Sequence, residues 1–451
     1  NIDPGIYTIK CMMMGYQTAV MRKVAVAVDK TTERNFEISE EALDIGEEVL
    51  VVADEEMLIR DKTSSLSRID ESQISQLPVE DMNGLLRIQS GVTVGSGGDM
   101  HIRGGRSSEI AYWVDGINVT DLYDNSMTIE VDNDAVQELQ VISGTFNAEY
   151  GQAMSGIVNV VTKENSPRWK GNVHLYGGDY FSSNKEIFHH IDGINPISNI
   201  QFSISGPLFK QIGLFSTVRQ YYDDGYLFGE KRFETDGEFG DSSAVSMNDE
   251  KLLSFQNKLV LKPLSSLKIV FGQIYTGRDF HSYDHGFKLN PEGIPDQNNT
   301  AWNFYSTMTH TLSAKTFYEI NFSYQKSEYD SYKYKNPYDS RYIHPDSLSG
   351  EPKYSFLNSG VNNHHFERET KTFIAKFDIT SQVNYMNQFK FGIEYKSYDL
   401  FLEDYVIRPK LDESQVEIEP FQPYVYPTYT PFHDTYTHRP SEISCYIQDK
   451  I

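Results

Sequence analysis

The 451-residue chain carries 64 acidic against 40 basic side chains, a formal net charge of −24. Neutralising phosphates needs a basic face that this balance does not offer, so nucleic acid is excluded as a partner. Two cysteines at opposite ends, Cys11 and Cys445, build neither a disulfide framework nor a Cys-based metal site.

The length predicts two or more units unless one large barrel absorbs most of it. Aromatics make up 13% of residues, with 30 Tyr and 26 Phe against 3 Trp, a mix that suits rings placed between apolar and wet surroundings. No apolar run of about 18 residues occurs, so a membrane-spanning helix is excluded, whereas a barrel of alternating strands of about ten residues is not. The chain opens at Asn1 without a basic or apolar leader and closes on "EISCYIQDKI", which reads as an interrupted strand. A fragment of a longer polypeptide is expected.

Residues 1–40, with "GIYTIKCMMMGYQTAVMRKVAVAV", alternate apolar and polar or small residues, and Gly5 and Gly15 mark breaks. Strands of a partial β-sandwich follow from that pattern. Gly-x-Tyr-x-Ile, then Gly-Tyr, then a β-branched run resemble the last part of a carboxypeptidase-regulatory-like domain; an unrelated immunoglobulin-like piece is the alternative. Residues 41–54 read as an acidic linker around one apolar block, "VLVVA". Such a block is either a sandwich edge strand or an extended peptide to which a partner adds a strand.

Residues 55–165 change character. "SRIDESQISQLPVEDMNGLLRIQSG" has helical spacing, with Pro78 and acidic residues at a helix start and Gly91 as a stop. "YWVDGINV" predicts a hairpin, because Asp115 and Gly116 suit the positive φ angles of a two-residue turn. "DAVQELQVISG" and "SGIVNVVTK" add a short helix and two strands, giving a small α/β domain. "MHIRGGRSSE" lacks both the Gly-Lys-Ser/Thr of a phosphate loop and the spacing of a dinucleotide fingerprint, and it leads into the hairpin. Its glycines read as a tight turn with close packing.

In that order, "LPVEDMNGLLRIQSGV", "MHIRGGRSSEIAYWVDGINV" and "DAVQELQVISGTFNAEYGQAMSGIVNVVTK" resemble the plug domain of TonB-dependent outer-membrane transporters. The resemblance implies a TonB box at Glu48, Val49, Leu50, Val51 and Val52. It also implies plug-to-barrel anchors at Arg103 of "IRG" and Glu149 of "AEYG", with ordinary salt bridges within the plug as the alternative. Ligand would be captured by the upper plug loops, where Asp99, Tyr123, Asp124 and Asn125 are the candidates.

Residues 166–451 carry regular alternation. In "TFYEINFSYQK", Tyr318, Ile320, Phe322 and Tyr324 share one face and Glu319, Asn321, Ser323 and Gln325 the other, the pattern of an apolar-out, polar-in strand. "TFIAKFDIT" and "QFKFGIEYK" repeat it. Short connections at "PLSS", "AK" and "NYMN" alternate with long stretches near residues 277–302, 327–370 and 399–440, as in an outer-membrane barrel. The expected fold is mainly β: roughly ten antiparallel strands forming the N-terminal portion of a membrane barrel, with the α/β plug inside. Barrels of this family use about 22 strands, so roughly half the wall is expected beyond these residues. "GPLFKQIGLFSTVRQYYDDGYLFG" is similar to the early barrel of Oar-like receptors.

His364 and His365 with Glu367 and Glu369, and His189 and His190 with Asp192, read as solvated loop residues in preference to metal ligands. "EPFQPYVYPTYTPFHDTY" reads as loop packing at the membrane interface, with sugar or peptide stacking as the alternative. No nucleophile, general base or cofactor motif is visible, so neither enzyme activity nor a cofactor is expected. The resemblance implies import of a siderophore, cobalamin, glycan or peptide across the outer membrane, with TonB and its inner-membrane complex, outer-membrane lipid and a surface lipoprotein as partners. Adhesion, signalling or assembly on the same scaffold is the alternative function, and a soluble exported multi-sandwich protein is a third.

Overall fold

Period-two alternation, which turns successive side chains to opposite faces, governs most of the chain. The computed structural model describes residues 5–11, 19–26, 36, 49–52, 64–79, 81–95, 99–144, 146–184, 188, 196–345, 356–384 and 387–450. They fall into two compact units, Asn1–Ser65 and Leu66–Ile451. In the first, β1 (Gly5–Cys11) pairs antiparallel with β2 (Ala19–Val26), and β3 (Val49–Val52) lies parallel on β2, Ala19 opposite Val49. Glu48 lies outside the described residues.

The second unit opens with β4 (Ser64–Asp70), then α1 (Glu71–Ile74) and α2 (Met82–Arg87). The helical reading of residues 67–91 is thereby corrected. Arg68 and Ile69 belong to a strand, Pro78 sits in a connection, and the helices start at Asp70 and Asp81, whose carboxylates accept from free backbone N–H groups of the first turn. A hairpin of β5 (Val92–Val94) and β6 (Met100–Ile102) follows. Then come β7 (Ile110–Val114), β8 (Ile117–Asn118), β9 (Val136–Gly144) and β10 (Gly156–Thr162).

The plug sheet has the order β4-β9-β10-β7-β8, with β10 parallel to β7 and antiparallel to β9. Strand β7, between β10 and β8, is buried at every position, as expected of a strand covered on both faces. Leu85, Leu86, Tyr112, Val114, Val158 and Val160 form the core on one face. Trp113, Ala111 and Ile157 pack with Ile142, Phe146 and Tyr150 on the other. In "IRGG", Arg103 and Gly104 both take positive φ, and a Cβ on Gly105 would lie 2.2 Å from that of Ser155. The glycines serve a turn and a close approach, as the sequence indicated.

The wall is an antiparallel meander in chain order. Its strands are β11 (Lys170–Asp179), β12 (Pro196–Phe209) and β13 (Ile212–Asp223), then, beyond a loop hairpin of β14 (Phe228–Glu230) and β15 (Ala244–Ser246), β16 (Glu250–Leu264) and β17 (Leu267–Phe280). β18 (Asp296–Ser313), β19 (Thr316–Tyr332), β20 (His364–Gln382) and β21 (Gln388–Val406) follow. A loop pairing of β22 (Arg408–Pro409) with β23 (Pro423–Tyr424) precedes β24 (His433–His438) and β25 (Ser441–Lys450), which both pair with β21 and form one stave interrupted at Arg439 and Pro440. No helix is long and apolar enough to cross a membrane among the described residues.

Phe322 and Tyr324 are exposed on the outer face, while Asn321, Ser323 and Gln325 are buried on the inner one. Phe389, Phe391, Ile393 and Tyr395 repeat the outward band. Apolar-out, polar-in is therefore the observed pattern. The long connections are shorter than the sequence suggested: they run over residues 281–295, 333–363 and 407–432. The strands continue beyond the lipid band, where the outer face no longer needs apolar residues and the alternation fades.

Candidate functional site

Every plug contact described below falls on the inward parity of the wall strands, so the plug lies against the lumen. The hairpin tip makes the first tie to the wall. Asp115 and Gly116 have φ of 50° and 82°, the two positive angles that the Asp-Gly turn requires. This turn aims the Asp115 carboxylate at Lys258 of β16, 2.9 Å away. Tyr305 OH donates to it at 2.6 Å, and Thr162 donates through N–H and Oγ1 at 2.9 and 2.7 Å. Burial alone would push this carboxyl up, but Lys258, Tyr305 and Thr162 hold it below its ordinary value.

A second tie joins Asp132 to β13 and β16. Ser254 Oγ donates to both carboxylate oxygens at 2.9 and 2.8 Å, and Arg219 Nη1 lies 3.7 Å away. Arg219 Nε in turn donates to Asn199 Oδ1 at 2.7 Å. Burial, then the neighbouring Asp132, push the Glu130 carboxyl up to about 7. A third tie is the ion pair of Glu149 with Lys390 of β21, beside which Gln152 Nε2 donates to Glu442 of β25 at 2.8 Å.

Toward the long-loop end, the plug apex meets the wall in a cleft of about 320 Å³ lined by Tyr123, Asp124, Asn299, Tyr329, Phe366 and Arg368. Arg368 Nη2 lies 2.7 Å from Asp124 Oδ2, and Nη1 lies 4.0 Å from Asp121 Oδ1. Its guanidinium carbon stands 4.7 Å from the Tyr123 ring centre and 5.6 Å from that of Tyr329. The apex loop is braced from within: Asn125 takes a φ of 57°, Tyr123 N–H donates to Asp121 Oδ1, and Ser126 N–H donates to Asp124 Oδ1. Burial raises the Asp121 carboxyl; at Asp124 burial also raises it, but the Ser126 donors and Arg368 outweigh that and lower it.

Of the sequence candidates, the structure brings Tyr123 and Asp124 together with the wall and places Asn125 in the turn behind them. Asp99 is exposed and does not line this cleft; its carbonyl accepts from Gly95 N–H. Glu149 reaches the wall, whereas the Arg103 side chain is exposed and reaches no carboxylate among the described residues. Val49, Leu50, Val51 and Val52 are the backbone of β3 in the first unit. His189, His190 and Asp192 lie outside the described residues. His365 is buried beside Tyr342 and Tyr405, and His364 pairs with Asp404 at 2.6 Å.

Sequence reasoning missed Arg219, Lys258 and Arg368. Each is a cation on the inward parity of a strand, and that parity is the one signal that marks them. A larger hollow of about 470 Å³, near Leu259, Phe271, Phe304, Phe322 and Phe373, is lined mainly by the outward aromatic and aliphatic residues of the wall.

The sequence matches the family described as TonB-dependent Receptor Plug Domain over residues 59–158. It is 30% identical over 124 residues to the iron-regulated outer membrane virulence protein of Vibrio cholerae, a match covering 25% of this chain and 19% of that protein. Over 228 residues it is 24% identical to the TonB-dependent transporter Oar of Myxococcus xanthus, covering 47% of this chain and 21% of that one. The matched stretches thus span about a fifth of the length of these curated relatives. In fold it resembles the outer membrane transporter YddB from Escherichia coli, with a TM-score of 0.60 at 14% identity, covering 85% of this chain and 54% of that one. Residues 59–158 thus match the TonB-dependent receptor plug domain, and the wall beside them has the fold of an outer-membrane transporter barrel.

Proposed function

We propose that the chain captures a scarce or bulky ligand of the siderophore, cobalamin, glycan or peptide class at the mouth cleft and passes it inward when TonB acts on the plug. The observation that carries this reading is the contact of Asp124 and Tyr123, at the plug apex, with Arg368 of the wall. A ligand seated there touches the wall and the movable domain at once, which is what coupling capture to plug release requires. The names of the relatives, an iron-regulated outer membrane protein and a TonB-dependent transporter, support it.

TonB would add a strand to Val49–Val52, an edge strand in the order β1-β2-β3. Residues 1–40, 41–54, 55–165 and 166–451 then act as regulatory sandwich, linker, plug and barrel. Deleting residues 48–53 from the complete protein is expected to abolish energy-dependent accumulation while leaving surface binding intact. Unchanged accumulation would overturn the importer reading and favour an adhesion or signalling role on the same scaffold.

A further inference from the structure

Asp124 in the cleft lining and the buried Asp121 behind it set two carboxylates against one cation. Arg368 is the one cation among its lining residues, and it faces both Asp124 at 2.7 Å and Asp121 at 4.0 Å. Of the long loops above the wall, residues 224–249 hold seven carboxylates against two cations, a field that concentrates positive solutes at the mouth.

Arg368 itself reports what the cleft accepts. Its planar guanidinium is held by a carboxylate and lies over the faces of two tyrosines, an arrangement that stabilises a partly desolvated cation through charge-assisted hydrogen bonding and ring quadrupoles. An anion entering here would meet two carboxylates whose counter-charge is already engaged. A cation meets Asp124, which is more than a third exposed, with aromatic faces at either side.

We propose that this cleft takes its ligand by a cationic group, an ammonium or guanidinium, which seats on Asp124 against Tyr123 and displaces Arg368. The inference rests on the reading of this cleft as the capture site. The exchange swaps one cation for another at the same carboxylate, so its free-energy change is small. Its consequence is that β20 lets go of the plug apex, because Arg368 stays with the wall while the ligand stays with Asp124.

The test uses the full chain in detergent and labelled tri-arginine and tri-glutamate peptides as probes, with binding read by fluorescence anisotropy at about 0.15 M salt. Tri-arginine is expected to bind saturably, to weaken about tenfold in Asp124→Asn, and to keep its affinity in Asp241→Asn, a carboxylate on the 224–249 loop. Arg368→Gln is expected to tighten tri-arginine binding, since the internal competitor is gone. Absence of saturable tri-arginine binding, equal losses in D124N and D241N, loss of binding in R368Q, or tighter binding of tri-glutamate would each overturn the proposal. Failure of the linker deletion to stop accumulation, with tri-arginine binding saturable in the native chain and weakened in D124N, would sink the importer reading and leave this one standing.

Discussion

Lys258 Nζ, on the inner wall, lies 2.9 Å from Oδ2 of Asp115 at the tip of the plug hairpin. Lys258 is only 2% exposed, so removing its partner strands a buried charge. Asp115→Asn keeps a residue that tolerates positive φ and should destabilise the unit by about 3–5 kcal/mol, read as a lowered unfolding midpoint in detergent. Adding Lys258→Met should recover part of that loss. No recovery would mean that the turn, and not the ion pair, set the stability.

Gly272 of β17 faces Tyr305 of β18 on the inner wall. A Cβ there would come within 2.0 Å of the Tyr305 ring, whose hydroxyl is committed to Asp115. Gly272→Ala should therefore overpack the wall and cost about 1–3 kcal/mol. Tyr305→Ala in the same chain should leave the glycine substitution nearly neutral, a coupling that a double-mutant cycle measures directly.

His281, just past β17, places Nδ1 2.7 Å from Asp249 and Nε2 3.0 Å from Asp296. The hydrogen bond to Asp249, then that to Asp296, raise the imidazolium from its ordinary value to about 9. A raised folded value means that the stabilisation is complete below the ordinary pKa of about 6.5 and disappears as pH climbs through about 9. The melting difference between the native chain and His281→Gln should shrink across that window. A difference constant with pH would show that the imidazole acts by packing alone.

On the outer face beyond the lipid band, Tyr342 is 2% exposed and its OH lies 2.7 Å from His365 Nε2, while Tyr405 OH lies 3.1 Å from Nδ1. Tyr342→Phe leaves a buried ring nitrogen without a partner, a loss of about 1–3 kcal/mol. Because the tyrosine belongs to the loop and the histidine to β20, the loss should be local. Hydrogen exchange should quicken at residues 333–345 with little change in the strands.

The barrel was legible because lipid imposes one rule on every stave: Phe322 and Tyr324 must face out, and Asn321 and Ser323 are then forced inward. The hairpin at Asp115 and Gly116 was legible for a similarly local reason, since two positive φ angles narrow the choice of residues. What the pattern hid is where those inward residues point. Asp115 reads as a turn residue, and nothing near it in sequence announces Lys258 or Tyr305, which lie far along the chain on separate strands. Helical spacing held over α1 and α2 but misled at Arg68 and Ile69, which pairing with β9 captured, and Arg68 Nε lies 3.0 Å from the buried Glu138.

The position of β4 has a mechanical consequence. It is the outermost member of the five-stranded plug sheet and the first element downstream of Ser64. Tension transmitted from upstream must load this single strand before any other, so it can be peeled from β9, breaking Arg68 from Glu138, while β9, β10, β7 and β8 remain zipped together.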